Sequence, residues 1–135
     1  MERRVFVTGG AHGIGRSIVE AFCQAGDRVA FCDMDVACGR DTSDKTGAIF
    51  YPADVADPLQ LEQCLQAIAD EWGDMDVIVN NAGISAFKPI TEITLEEFDR
   101  TLHINLRPAF ITSRFLARHR QQNGNTSYGR IVNLS

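Results

Sequence analysis

Lysine is scarce in this 135-residue sequence: only Lys45 and Lys88 occur, no basic run exists, and the net charge is −5. A sequence-independent nucleic-acid binder needs a basic footprint, so that class is excluded. Long apolar runs are missing too. No stretch reaches the roughly 18 residues a membrane-spanning helix needs, and Arg3 and Arg4 are followed by nothing of signal-peptide length. No membrane association is expected, and a cytoplasmic location is. The four cysteines, Cys23, Cys32, Cys38 and Cys64, form no CxxC pair, so reduced structural thiols are expected rather than a disulfide framework. His103 and His119 have no ligand partner three or four residues further on, and no metal site is expected. What remains, 44% apolar and 23% charged residues, suits one globular core, so a single domain over 1–135 is expected.

Short apolar runs alternate with helical patterns along the whole chain. Strands are expected at residues 5–8, 28–33, 48–54, 75–80 and 130–134. Residues 13–25 carry Ile14, Ile18, Phe22 and Ala25 at helical spacing, and Gly26 suits the position just past that helix. Asp57, Pro58 and Gln60 make a capping-box-like start for a helix with Leu61, Leu65, Ile68 and Trp72 on one face and Gly73 at its end. Thr94 and Glu97 fit a capping box, with Ile93 and Phe98 as a hydrophobic staple, for one long helix over about 95–119. On it, Leu102, Leu106, Phe110 and Phe115 read mainly as core. Residues 38–47 read as loop or short helix, and Asp70, Glu71, Asp74 and Asp76 as a solvated acidic face. Strands alternating with helices mean βαβ units with right-handed crossovers. The expected fold is α/β: a doubly wound parallel sheet of order 3-2-1-4-5, its ligand crevice beyond the carboxyl ends of the strands.

Two features load that crevice with chemistry. TGGAHGIG, Thr8 to Gly15, joins the first strand to the first helix, with glycines at 9, 13 and 15. Such a loop tolerates positive φ, lets backbone approach a pyrophosphate and opens a helix N-terminus toward it. Ordinary strand-to-helix turns also use glycine, so the loop alone is weak. Asp33, however, ends the second strand twenty positions after Gly13, the offset of a carboxylate that binds a ribose diol. Beside a 2′-phosphate that carboxylate would be repulsive, so NAD is favoured over NADP. His12 and Arg16 pull the other way.

With TGGAHGIG, Asp33, Asp54–Val55, NNAG at 80–83 and GRIVNLS at the end, in this order, the chain resembles the short-chain dehydrogenase/reductase family over all 135 residues. The resemblance implies a Rossmann-like domain, incomplete on its C-terminal side, and hydride transfer between NAD(H) and a small alcohol or carbonyl substrate. It implies that Gly9, His12, Gly13, Ile14 and Gly15 contact the cofactor diphosphate and adenosine. Asp33 would hold the adenine ribose, Asp54 and Val55 the adenine, and Asn81, Ala82 and Gly83 would lie against the cofactor. It also implies a homo-oligomer formed through the 95–119 helix.

The family's catalytic tetrad is Asn, Ser, Tyr and Lys. Asn105 matches the first of these. An Asn inside a helix costs about 0.5–0.7 kcal/mol relative to Ala, and Pro108 removes the N–H that would bond the carbonyl of Ile104. The helix should therefore kink around Asn105 and leave carbonyls free for water. Ser135 matches the serine before the catalytic one, and no Tyr-x-x-x-Lys occurs: Val55 and Val132 stand four residues after Tyr51 and Tyr128. The sequence is thus expected to be a truncated cofactor-binding half, inactive alone. A non-catalytic dinucleotide-binding or interaction module is the alternative. A methyltransferase-like site fits the βαβ pattern but not NNAG or Asp54–Val55.

Overall fold

The computed structural model describes residues 1–135. In chain order the elements are β1 (Arg4–Thr8), α1 (Gly13–Gln24), β2 (Arg28–Asp33), α2 (Val36–Thr46), β3 (Ile49–Pro52) and α3 (Pro58–Trp72). Then come β4 (Val77–Asn80), a single 3₁₀ turn (Ile90–Glu92), α4 (Leu95–Asn105), α5 (Arg107–Gln122) and β5 (Arg130–Asn133). All pairings are parallel, in the order β3-β2-β1-β4-β5, with β3 and β5 as open edges. This is the expected Rossmann-like sheet. No helix is long and apolar enough to cross a membrane.

Alternation along β1 explains why its residues are apolar throughout. Val5 and Val7 pack with Val19 of α1 and with Phe31 and Val77 of the neighbouring strands. Phe6 points the other way, into a cluster with Leu61, Leu65 and Ile68 of α3 and Ile111 and Leu116 of α5. A sheet covered on both faces needs apolar residues at both parities. Leu65 is fully buried, and truncating such a residue to Ala costs about 2–5 kcal/mol.

Several expectations are corrected. Residues 38–47, read as loop or short helix, resolve to the helix: α2 covers Val36–Thr46, started by Asp35, whose side chain accepts from the N–H of Cys38, and closed by Gly47 at φ +79°. The single helix over 95–119 is two helices, broken at Leu106, where φ is −114°. Pro108 makes the break physical, because it cannot donate to the preceding turn. Gln60 does not complete a capping box: its Oε1 accepts from the N–H of Asp54 rather than from that of its cap, Asp57. The box at Thr94 and Glu97 forms on both sides, at 3.1 and 2.8 Å.

Asp74 is no part of a solvated face; it is buried and ion-paired with Arg120 at 3.1 Å. Ile14, at helical spacing with Ile18 and Phe22, is exposed where they are partly buried, because it opens α1 at the mouth of the crevice. Leu102, Leu106 and Phe110 face outward, and of that stripe Phe115 alone packs on the core.

Candidate functional site

The strand order reverses between β1 and β4, and the loops leaving their carboxyl ends form the walls of a crevice there. After Thr8 the chain turns sharply: the N–H groups of Gly9 and Gly10 both donate to the carbonyl of Cys32, at 2.8 and 3.2 Å. Gly9 has φ +70°, a region side chains disfavour. Gly15 is required by contact instead, since a Cβ there would lie 1.9 Å from the carbonyl oxygen of Gly9. Asn81 locks the two loops together, its Nδ2 donating to the carbonyls of Thr8 and Gly9 at 3.1 Å each. In return Thr8 Oγ1 accepts from the N–H groups of Asn81 and Ala82.

The helix starts around the crevice differ in one respect. Side chains cap α2 (Asp35), α3 (Asp57) and α4 (Thr94), but His12 gives α1 no side-chain cap. A helix start without a cap leaves first-turn N–H groups free for an anion, with the helix dipole in favour. Ala11, just before it, donates its N–H to Asp33 Oδ2, and its carbonyl accepts from Thr42 Oγ1 at 2.8 Å, so the loop is held from outside.

All eleven positions expected to meet a cofactor line one cavity of about 530 Å³, inside the roughly 300–1,000 Å³ range of ligand clefts. The glycine loop supplies Gly9, His12, Gly13, Ile14 and Gly15. β2 supplies Asp33, the segment after β3 supplies Asp54 and Val55, and β4 delivers Asn81, Ala82 and Gly83. Six further residues share the lining: Met34, Asp35, Ala53, Ile84, Arg100 and Ile104. Met34, Asp35, Ala53 and Ile84 abut residues already singled out, whereas Arg100 and Ile104 become visible only once α4 folds over the crevice.

Asn105 does not line the cavity. Its side chain is engaged by the loop after β4, with Oδ1 accepting from the N–H of Ile84 at 2.8 Å and Nδ2 donating to the carbonyl of Ile84 at 2.7 Å. The chain does kink there, as expected from Pro108. Asn105 thus pins the segment that carries Asn81–Gly83 against the helix break.

Charge is distributed in a way that matters for an anionic ligand. Asp33, Asp35 and Asp54 line the cavity and none is in a salt bridge. Asp35 is held below the usual carboxylate range, first by the backbone N–H of Cys38. Arg16 does not face the cavity; it bridges Glu20 at 2.9 Å and Asp41 at 3.0 Å across α1 and α2. No tyrosine or lysine lines the cavity. Tyr51 sits near Glu71, and burial, then that carboxylate, push its hydroxyl above the ordinary range. Tyr128 lies under the guanidinium of Arg130.

The open parallel sheet, with its crevice at the strand-order reversal, defines the Rossmann-like class of doubly wound domains. Within that class, the profile of the family described as short chain dehydrogenase matches residues 3–135, and the chain belongs to that family. A sorbitol dehydrogenase from Cereibacter sphaeroides is 34% identical over 98% of this chain and 52% of its own length. Among solved structures, a 3-ketoacyl-(acyl-carrier-protein) reductase from Brucella melitensis complexed with NADH superposes with TM-score 0.84 at 29% identity, covering 91% of this chain and 52% of its own. A short chain dehydrogenase from Burkholderia cenocepacia in complex with NADP gives 0.82 at 32%, over 87% and 50%. The chain spans about half the length of the curated relatives it matches. The family comprises oxidoreductases that use nicotinamide cofactors.

Proposed function

We propose that the crevice holds a nicotinamide dinucleotide, NAD in preference to NADP, and that the protein serves hydride transfer between a small alcohol and its carbonyl form. The observation that carries this is the single cavity gathering the glycine loop, Asp33, Asp54–Val55 and Asn81–Gly83. The bound nicotinamide supplies the hydride chemistry, and the protein supplies binding and orientation. The uncapped first turn of α1 takes the diphosphate. Asp33 takes the diol of the adenine ribose; each of its oxygens accepts one backbone N–H, from Ala11 and Asp35, and this fixes the carboxylate's direction. Asp54 and Val55 border the adenine, while Asn81, Ala82 and Gly83 form the floor. Asn105 acts one step back, holding that floor through Ile84.

The preference for NAD rests on charge. Three carboxylates line the cavity against one arginine, Arg100 of α4, and the arginine at the start of α1 is already bridged by Glu20 and Asp41. Two anions in a partly dry cleft repel, which disfavours a 2′-phosphate beside Asp33. General acid–base transfer needs a titratable group within hydrogen-bond reach of the substrate oxygen, and among these 135 residues none of the tyrosines or lysines approaches the cavity. The 135-residue chain therefore binds cofactor without turnover. The outward-facing Leu102, Leu106 and Phe110 on α4 and α5 support association between copies of the chain.

Titration of the 135-residue chain with NADH and NADPH, followed by nicotinamide fluorescence, tests this reading. Saturable NADH binding is expected, with NADPH weaker by about tenfold or more, and Asp33→Ser should close most of that gap. A folded chain that saturates with neither nucleotide would overturn it.

A further inference from the structure

Arg107 opens α5 immediately after the break at Leu106. Its side chain reaches the loop that follows β3, where Nη2 donates to the carbonyl of Ala56 at 2.5 Å, next to the cavity-lining Asp54 and Val55. Ala56 directly follows Asp54 and Val55. That loop is otherwise fastened to itself, to α3 and to β2: Asp54 Oδ1 accepts from the N–H of Ala56, Gln60 Oε1 from that of Asp54, and the carbonyl of Asp33 from that of Ala53. Arg107 supplies its one hydrogen bond to the helical wall, where Ile104 and Arg100 line the cavity one and two turns earlier.

Stability alone does not account for a cation at this place. Arg107 is half-buried, takes part in no salt bridge, and its Nε is buried with no partner. Orphaned buried donors are costly, and a well-packed apolar residue of similar volume commonly serves stability as well or better. What an arginine provides here is reach: a long side chain whose charged head grips one carbonyl beside the cavity.

We propose that Arg107 is a positioning residue for the base end of the dinucleotide, setting the separation between the 53–56 loop and the α4 wall. The inference rests on the cofactor reading given above. Arg107 touches no cofactor atom; it holds Asp54 and Val55 at the distance a planar base needs, and its effect is confined to the adenine side. A lysine can make the same single bond, because only one donor is in use.

The test is calorimetric titration of the 135-residue chain, Arg107→Met and Arg107→Lys with NADH, AMP and nicotinamide mononucleotide, with thermal unfolding in parallel. Arg107→Met should unfold within a few degrees of the parent, bind NADH and AMP about tenfold more weakly, and bind nicotinamide mononucleotide unchanged. Arg107→Lys should recover most of the loss. Arg107→Gln replaces the methionine variant if that variant does not fold. Equal weakening of both mononucleotides, or unchanged AMP affinity in a folded variant, overturns the inference while leaving the cofactor reading intact. A folded parent chain that fails to bind NADH removes the cofactor reading, and this inference with it.

Discussion

Around the amino ends of the strands, Arg4 and Arg120 form salt bridges with Asp74 and Asp76, whereas around the carboxyl ends Asp33, Asp35 and Asp54 form none. At the amino end, Arg4 pairs with Asp76 through both carboxylate oxygens, and Arg120 donates to the carbonyls of Met75 and Ser127 as well as facing Asp74. These links tie β1, the turn before β4 and the turn before β5 into one knot. The carboxyl end is built the opposite way. There the backbone is folded tightly by Gly9 and Gly15, yet the first turn of α1 has no side-chain cap, and three carboxylates, each oriented by backbone N–H groups, enter no salt bridge. The difference teaches where the molecule fastens itself and where it leaves groups for something else: charges paired with each other mark structure, and carboxylates outside any salt bridge on a well-fixed loop mark a ligand site.

Substitutions at the two ends should therefore separate stability from binding. Arg120→Met leaves the buried Asp74 short of its nearest cation, and unfolding free energy should fall by about 3 kcal/mol, the lower end for a broken buried pair because Arg4 and Asn125 remain. Urea denaturation measures it. NADH affinity of the folded fraction should stay within about twofold, and adding Asp74→Asn should recover part of the stability. Gly15→Ala reverses the pattern. Its Cβ must displace the carbonyl of Gly9 or the amide of Asn81, costing about 1–3 kcal/mol in stability, while NADH affinity drops by tenfold or more as the loop is pushed into the cavity.

The smallest effect is one of pH. Arg4's hydrogen bond, working against burial, holds the Asp76 carboxyl below its ordinary range. A carboxylate with a depressed folded-state pKa contributes stability above its unfolded value, near 3.9, and loses that contribution as pH falls through the folded value. The urea midpoint should hold from neutrality to about pH 5 and then decline, and Arg4→Met should flatten that decline.

Much of the site was legible because its residues sit at strand ends in fixed order. The eleven expected cavity residues are short-range features of turns, and a turn's chemistry is local. The rest was left open where the local pattern is thin, or misread where tertiary context decides. α2 has Val36, Ala37 and Cys38 as its apolar residues, too few for a helical stripe, and its evidence lay in Asp35 and Gly47. Asp74 looked solvated because its neighbours Asp70 and Glu71 are; its burial depends on Arg120, forty-six residues on, folding back over it. Pro108 correctly announced the kink, but nothing in sequence spacing announced that Asn105 would hold Ile84 or that Arg107 would reach Ala56.

Amide chemical shifts of the isotope-labelled chain, followed as NADH is added, report most directly on whether the crevice holds the dinucleotide. Shifts should move and saturate together at residues 9–15, 33–35, 53–56 and 81–84, largest at Gly13, Ile14 and Gly15, while Arg4, Asp74, Asp76 and Arg120 stay still. Saturating shifts centred on that second group, or none anywhere in a folded chain, would contradict it.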